Sequence, residues 1–150
     1  MKESYDLVFK RLKDIDDADI SDLLCMSKTP EISRYVSINE ETFFTYVISS
    51  PNIYFYKVYK NDKLVGALHL EMEDETLFLS IEVHPAYHRQ GIGEGILEAV
   101  QKGRLQPDFE QIKVSIEVSN IPSRRLFEKM GFIEISQEDE LIDYLYCVRG

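Results

Sequence analysis

A chain of 150 residues that is 44% hydrophobic and 29% charged can bury a core of its own without disulfides or metal, and its composition excludes a disordered or fibrous protein. With 27 Asp and Glu against 17 Lys and Arg, the net charge of −10 argues against nucleic-acid binding, which needs clustered basic residues, and suits solubility or a cationic substrate. Cys25 and Cys147 have neither metal-ligand spacing nor the density of a disulfide framework, no apolar run reaches ~18 residues, and Met1–Lys10 lacks the apolar stretch of a signal peptide, so the expectation is one cytoplasmic domain over residues 1–150 with reduced thiols and no membrane contact.

The chain opens with a strand-like run, Leu7–Leu12, in which apolar residues alternate with Lys and Arg. Asp16 or Asp17 can cap a helix with the stripe Ile20, Leu23, Leu24, and the acids at 14, 16, 17 and 19 suit its positive end. Cys25 is expected on the buried side of that helix. Thr29-Pro30-Glu31 predicts a short helix, and Ser37 or Asn39 starts another that carries Phe43, Phe44, Val47 and Ile48 and stops before Pro51. Ile53–Lys60, Lys63–Met72 and Thr76–His84 read as an antiparallel meander joined by turns at Asn61-Asp62 and Glu73-Asp74. A helix over Gly91–Lys102, a strand over Ile112–Val118, a helix over Pro122–Met130 and strands over Phe132–Ser136 and Ile142–Val148 follow. A helix between the fourth and fifth strands implies a parallel crossover in a mostly antiparallel sheet.

The segment with chemistry in it is Ser80–Leu97, a strand that turns through His88-Arg89-Gln90-Gly91-Ile92-Gly93 into a helix. A helix start offers unpaired N–H groups and the positive end of the macrodipole, and Gly91 and Gly93 let a diphosphate approach the backbone. No Walker loop occurs, and Ile96 stands where a dinucleotide fingerprint needs its third glycine.

The run Val83-His84-Pro85 through Tyr87-His88-Arg89-Gln90-Gly91-Ile92-Gly93 resembles the acyl-CoA signature Q/R-x-x-G-x-G/A of the GNAT superfamily of N-acetyltransferases. Asn120 through Phe132 resembles that family's second landmark, N-x-x-[AS]-x-x-[LF]-[YF]-E-K-x-G-F, one strand further on. The likeness is close from about Lys63 to the C-terminus and rests only on element order before it. It implies an α/β fold of the α+β type: a mixed, mostly antiparallel seven-stranded sheet flanked by helices, with strands four and five parallel and splayed. It implies acetyl-CoA as co-substrate, no metal, and an amine acceptor, either a small molecule or a peptide N-terminus.

By the same resemblance, the amides of His88, Arg89, Gln90, Gly91, Ile92 and Gly93 hold the CoA diphosphate. The backbone of Ile81 and Val83 pairs with the pantetheine arm, and the Ile81 N–H polarises the thioester. Asn120 lies near the sulfur, and is by its residue type also a helix cap. Two departures stand out. His88 replaces the leading Gln or Arg, and Phe127 occupies the place of a Tyr that in many members protonates the leaving thiolate, which makes Phe127 a wall. Many members also carry a strand-four carboxylate facing the acceptor, but the same-face positions are Leu77 and Leu79. The base is then Glu82, if that strand is bulged, or Glu117 on strand five, or a water between them, with His69 and His84 weaker choices. Tyr35, Phe43, Phe44 and Tyr54 are expected to line the acceptor pocket, neither cysteine is an expected nucleophile, and the C-terminal edge strands could pair two copies. Two rivals remain: an acyl-CoA-binding sensor of the same fold without turnover, and an unrelated phosphate binder.

Overall fold

One seven-stranded sheet organises the molecule, in the order β1-β2-β3-β4-β5-β7-β6. The strands are β1 (Val8–Arg11), β2 (Ile53–Lys60), β3 (Lys63–Glu73), β4 (Thr76–Val83), β5 (Gln111–Glu117), β6 (Ile133–Glu138) and β7 (Leu141–Cys147). The helices are α1 (Ile20–Ser27), α2 (Phe43–Ser49), α3 (Ile92–Gln101) and α4 (Ile121–Lys129), with a short 3₁₀ turn at Pro85–Tyr87. The structure is a computed structural model that describes residues 7–27, 43–88 and 90–148. The helix expected at Thr29, the start expected at Ser37 or Asn39, Tyr35 and Arg89 lie outside the described residues.

All pairs of neighbouring strands are antiparallel except β4 and β5. The β2–β3 turn forms at Asn61 and Asp62, both at positive φ as expected, and the β3–β4 turn falls one residue later than expected, after Glu73, with Asp74 at positive φ. Alternation along the strands divides the interior in two. Tyr56, Leu68, Leu70, Leu77, Ile112, Val114 and Tyr144 form one core with Ile92, Ile96, Leu97 and Phe127 of α3 and α4. Phe55 and Ala67 face the other way and pack with Leu23, Phe44 and Val47 of α1 and α2.

Several side chains are not where the residue pattern places them. Cys25 is exposed; among the described side chains of α1, Leu23 and the half-buried Ile20 and Leu24 turn toward the sheet. Helix α1 begins at Ile20 rather than beside Asp16, and the acids before it form turns of their own, with the Asp16 N–H bonded to Asp14 and the Asp19 N–H to Asp17. Phe44 is buried against Phe55, and Tyr54 lies under the Arg11 guanidinium; neither borders the cleft that opens between β4 and β5. The side chain of Phe43 lies outside the described residues.

Lys57 is the buried charged residue of the sheet, held by Asp17 at 2.5 Å and Asp19 at 3.1 Å. Burial pulls its pKa down, and bonds to both carboxylates more than reverse this, so it stays charged. The pair ties the segment before α1 to the middle of the sheet. Tyr144, fully buried on β7, donates to Glu128 of α4 at 2.7 Å and accepts from Arg124, whose Nη1 also reaches the Val118 carbonyl. Tyr144→Phe removes a hydroxyl that bonds the half-buried Arg124 and the Glu128 carboxylate at the rim of the core. It should lower stability in a urea titration by about 1–2 kcal/mol with an unchanged slope.

Candidate active site

Strands β4 and β5 pair through three residue pairs only: Thr76 with Gln111, Leu77 with Ile112, and Phe78 with Lys113. Beyond Phe78 the strands separate, while β4 stays paired with β3 as far as Val83 opposite Gly66. The His84 N–H donates to the Val65 carbonyl at 2.8 Å, which fixes the alternation along β4. The main-chain groups of Ser80 and Glu82 therefore point to β3, and those of Leu79, Ile81 and Val83 point into the gap. Across it, the Val118 N–H bond to Glu140 turns 118 toward β7 and leaves the main-chain groups of Ser115 and Glu117 facing β4.

The gap opens into a cleft of about 750 Å³ that runs to the start of α3. Ile81, Val83, Glu82, Glu117, Asn120, Phe127, His88, Gly91, Ile92 and Gly93 all border it, so most of the residues singled out in the sequence meet in one place. Gln90 is exposed and stands apart from the lining.

At the far end, Gly91 has φ +78° at the N-cap of α3, and a side chain there would meet no atom within 4 Å. That left-handed residue turns the chain so that the first amides of α3 face open space, as a phosphate would require. Ile92 is buried in the core and can serve a ligand only through its backbone. Gly93 lies against α4, where a Cβ would come within 3.0 Å of Leu126. The exposed His88 ring bonds the Val83 carbonyl at 2.8 Å through Nε2; since a carbonyl only accepts, that nitrogen carries the proton. Glu94, in the first turn of α3, is ion-paired to Lys129 of α4 at 2.9 Å.

Glu82 and Glu117 stand on the same sheet face on opposite sides of the gap. Burial pushes the Glu82 carboxyl up to about 7, so it exchanges its proton near neutrality. Lys57, bound to Asp17 and Asp19, and His69 share that face on the neighbouring strands; burial holds the His69 pKa below its ordinary value. The expectation tied Glu82 to a bulge in β4, but β4 keeps one register against β3 throughout. Glu82 reaches the cleft because the cleft passes through the sheet, so residues of both faces border it. Asn120 caps α4 by accepting from the Ser123 N–H at 3.3 Å. Phe127 packs edge-on to Phe132 at 5.0 Å and offers no donor. Residue types alone did not single out Ser80, Ser115 or Leu141, which also line the cleft. Ser80 and Ser115 lie two residues before Glu82 and Glu117 on the same faces, a spacing that could have pointed to them.

Residues 18–132 match the family described as Acetyltransferase (GNAT) family. A 58-residue stretch is 36% identical to an N-alpha-acetyltransferase of Sulfurisphaera tokodaii, covering 38% of this chain and 35% of that protein. The fold matches the ribosomal-protein-S18-alanine N-acetyltransferase of Escherichia coli at a TM-score of 0.73 and 18% identity, over 95% of this chain and 94% of that one. It matches spermidine N-acetyltransferase from Vibrio cholerae, solved with CoA and spermine, at a TM-score of 0.80 and 14% identity, over 95% of each chain.

The raised Glu82 pKa is also a statement about stability. The folded state holds this proton until about pH 7, while an unfolded glutamate releases it near ~4.3, so stability is fully present below that lower value and falls as pH rises through the window. Glu82→Gln cannot ionise. Thermal melts should show it near wild type at pH 4 and more stable at pH 8 by roughly 3–4 kcal/mol.

Proposed function

The chain belongs to the Acetyltransferase (GNAT) family, and from that premise we propose that it moves the acetyl group of acetyl-CoA to a primary amine, on a small molecule or a peptide N-terminus, by direct attack. The observation that carries this reading is the gap beyond Phe78, edged by main-chain groups and ending at the open start of α3. A pantetheine arm carries amides that pair with such an edge as an added strand does, and the α3 amides then meet the diphosphate. Glu82 supplies the remaining part, a carboxylate poised to take a proton near neutrality.

In this scheme Ile81 and Val83 hold the arm, and the amides of His88, Gly91, Ile92 and Gly93 hold the diphosphate. Arg89 and Gln90 flank the loop, Asn120 stands at the sulfur end and Phe127 forms the wall. The amine nitrogen attacks the thioester carbon, forming C–N while the oxygen takes charge beside the Ile81 N–H. The C–S bond breaks, sulfur leaves as thiolate, and the amine proton passes to Glu82, with Glu117 next to the incoming amine. Phe127 cannot protonate the sulfur, but a thiol of pKa near ~8.5 leaves without help.

A carboxylate near 7 cannot deprotonate a lysine-like amine of pKa ~10.4 to any extent, whereas an α-amine near ~7.7 is already about one-sixth neutral at pH 7. The acceptor is accordingly an amine of low pKa. Excess acid on the protein favours its cationic form on approach.

Thiol release from acetyl-CoA, measured across a panel of amines, tests the reading. Turnover with α-amines should rise with pH through about 7, and Glu82→Gln should remove that limb and lower kcat by ~10²-fold or more. Good turnover of lysine or polyamines without turnover of any α-amine would contradict the acceptor class. The donorless Phe127 ring favours one alternative, an acyl-CoA-binding module without catalysis; tight CoA binding with no thiol release across the panel would establish it. Gly91→Val, which forces a branched side chain to positive φ, should weaken CoA binding in calorimetry by tenfold or more under either reading.

A further inference from the structure

Across β4 from the gap, strand β3 carries an irregularity. The β2–β3 register steps between Val58 and Tyr59, so that Tyr59 faces Leu64, Val58 faces Gly66, and Val65 is the extra residue of a bulge. The bulge resets side-chain alternation: Val65, Leu68 and Leu70 all enter the core under α3 and α4, while Leu64 and Ala67 belong to the opposite one. Bulges bend a strand and increase its local twist. The end of β4 follows the bend, for His84 is bonded through its N–H to the carbonyl of the bulged Val65. At Gly66, a Cβ would lie 2.5 Å from the main-chain oxygen of Glu82 and 3.5 Å from the Val83 Cα. No side chain fits between β3 and β4 there, and the atom it would strike belongs to the residue that carries the carboxylate.

We propose that Gly66 is a positioning residue of the site: its lack of a side chain lets the end of β4 bend onto the β3 bulge, and that bend opens the gap from β5 and aims Glu82 into it. Any Cβ at 66 must push Glu82 and Val83 off β3, and the direction left open is toward β5. The gap then narrows where Ile81 and Val83 face it, and Glu82 turns toward water. This inference rests on the acetyl-CoA reading of the cleft.

Gly66→Ala tests it. A variant that is merely less stable would keep its KM and pH profile once folded. The proposal instead expects KM for acetyl-CoA to rise about tenfold or more, and the limb near pH 7 to move at least one unit toward the ordinary carboxylate range. Deletion of Val65, which removes the bulge and shifts only the first residues of β3, should move both readouts in the same directions. Either variant, folded and with KM within twofold and the limb within 0.3 unit of wild type, overturns the proposal (thresholds about those of assay error). Should neither fold, hydrogen exchange on the wild type decides. The Ala67 and His84 amides should exchange at rates that saturating CoA changes by less than about twofold, since the bend precedes the ligand, and slowing of about tenfold or more would overturn it. A wild type that binds no CoA removes the functional reading itself, a result distinct from a wild type that turns over while Gly66→Ala behaves identically.

Discussion

Everything distinctive about this molecule follows from hydrogen bonds that β4 and β5 do not make. A parallel pair that ran its full length would close the sheet and bury both edges. Here the pairing stops at Phe78 and Lys113, and the alternation of each strand directs the main-chain groups of Ile81, Ser115 and Glu117 and the Val83 N–H across an opening, the Val83 carbonyl being taken by the His88 ring. Exposed strand edges are a liability that folded proteins normally cover. This one opens on a cleft, is continuous with a helix start, and has Glu82 and Glu117 on its two sides, which are the attributes of a ligand site.

The surrounding structure keeps that opening rigid. On one side β4 is fully paired to β3 and hooked to its bulge. On the other, β5 is fully paired to β7, and the Tyr144, Glu128 and Arg124 network locks β7 to α4 and the turn after β5. Gly93 lets α3 pack closely on α4, where a Cβ would come within 3.0 Å of Leu126. Lys57 with Asp17 and Asp19 anchors the segment leading into α1 over the opposite face.

Much of this was legible in the sequence because the features are local. Two-residue alternation gives β5, the Asn61-Asp62 pair gives its turn, and Gly91 with Gly93 before an apolar stripe gives the start of α3. Asn120 followed by Pro122 and Ser123 gives the α4 cap. What escaped depends on neighbours distant in the chain. Alternation correctly put Glu82 opposite Leu77 and Leu79, yet it cannot tell that the sheet is open beside Glu82, so the residue was admitted to the site only through a bulge in β4. The bulge lies instead in β3 at Val65, where Lys63–Met72 reads as an unbroken run. Phe44 and Tyr54 are aromatic and near the site in order of elements, but packing against Phe55 and Arg11 takes them elsewhere. Cys25 faces water because α1 is short and only a narrow stripe of it meets the sheet.

On the function proposed above, the open edge of β4 receives the pantetheine arm as a strand would. Hydrogen exchange followed residue by residue, with and without saturating CoA, addresses it directly. The account predicts strong slowing at the amides of Ile81 and Val83, which face the gap, and little change at Ser80 and Glu82, whose amides already bond β3. Equal slowing at all four, or none at Ile81 and Val83 while CoA is bound, would contradict it.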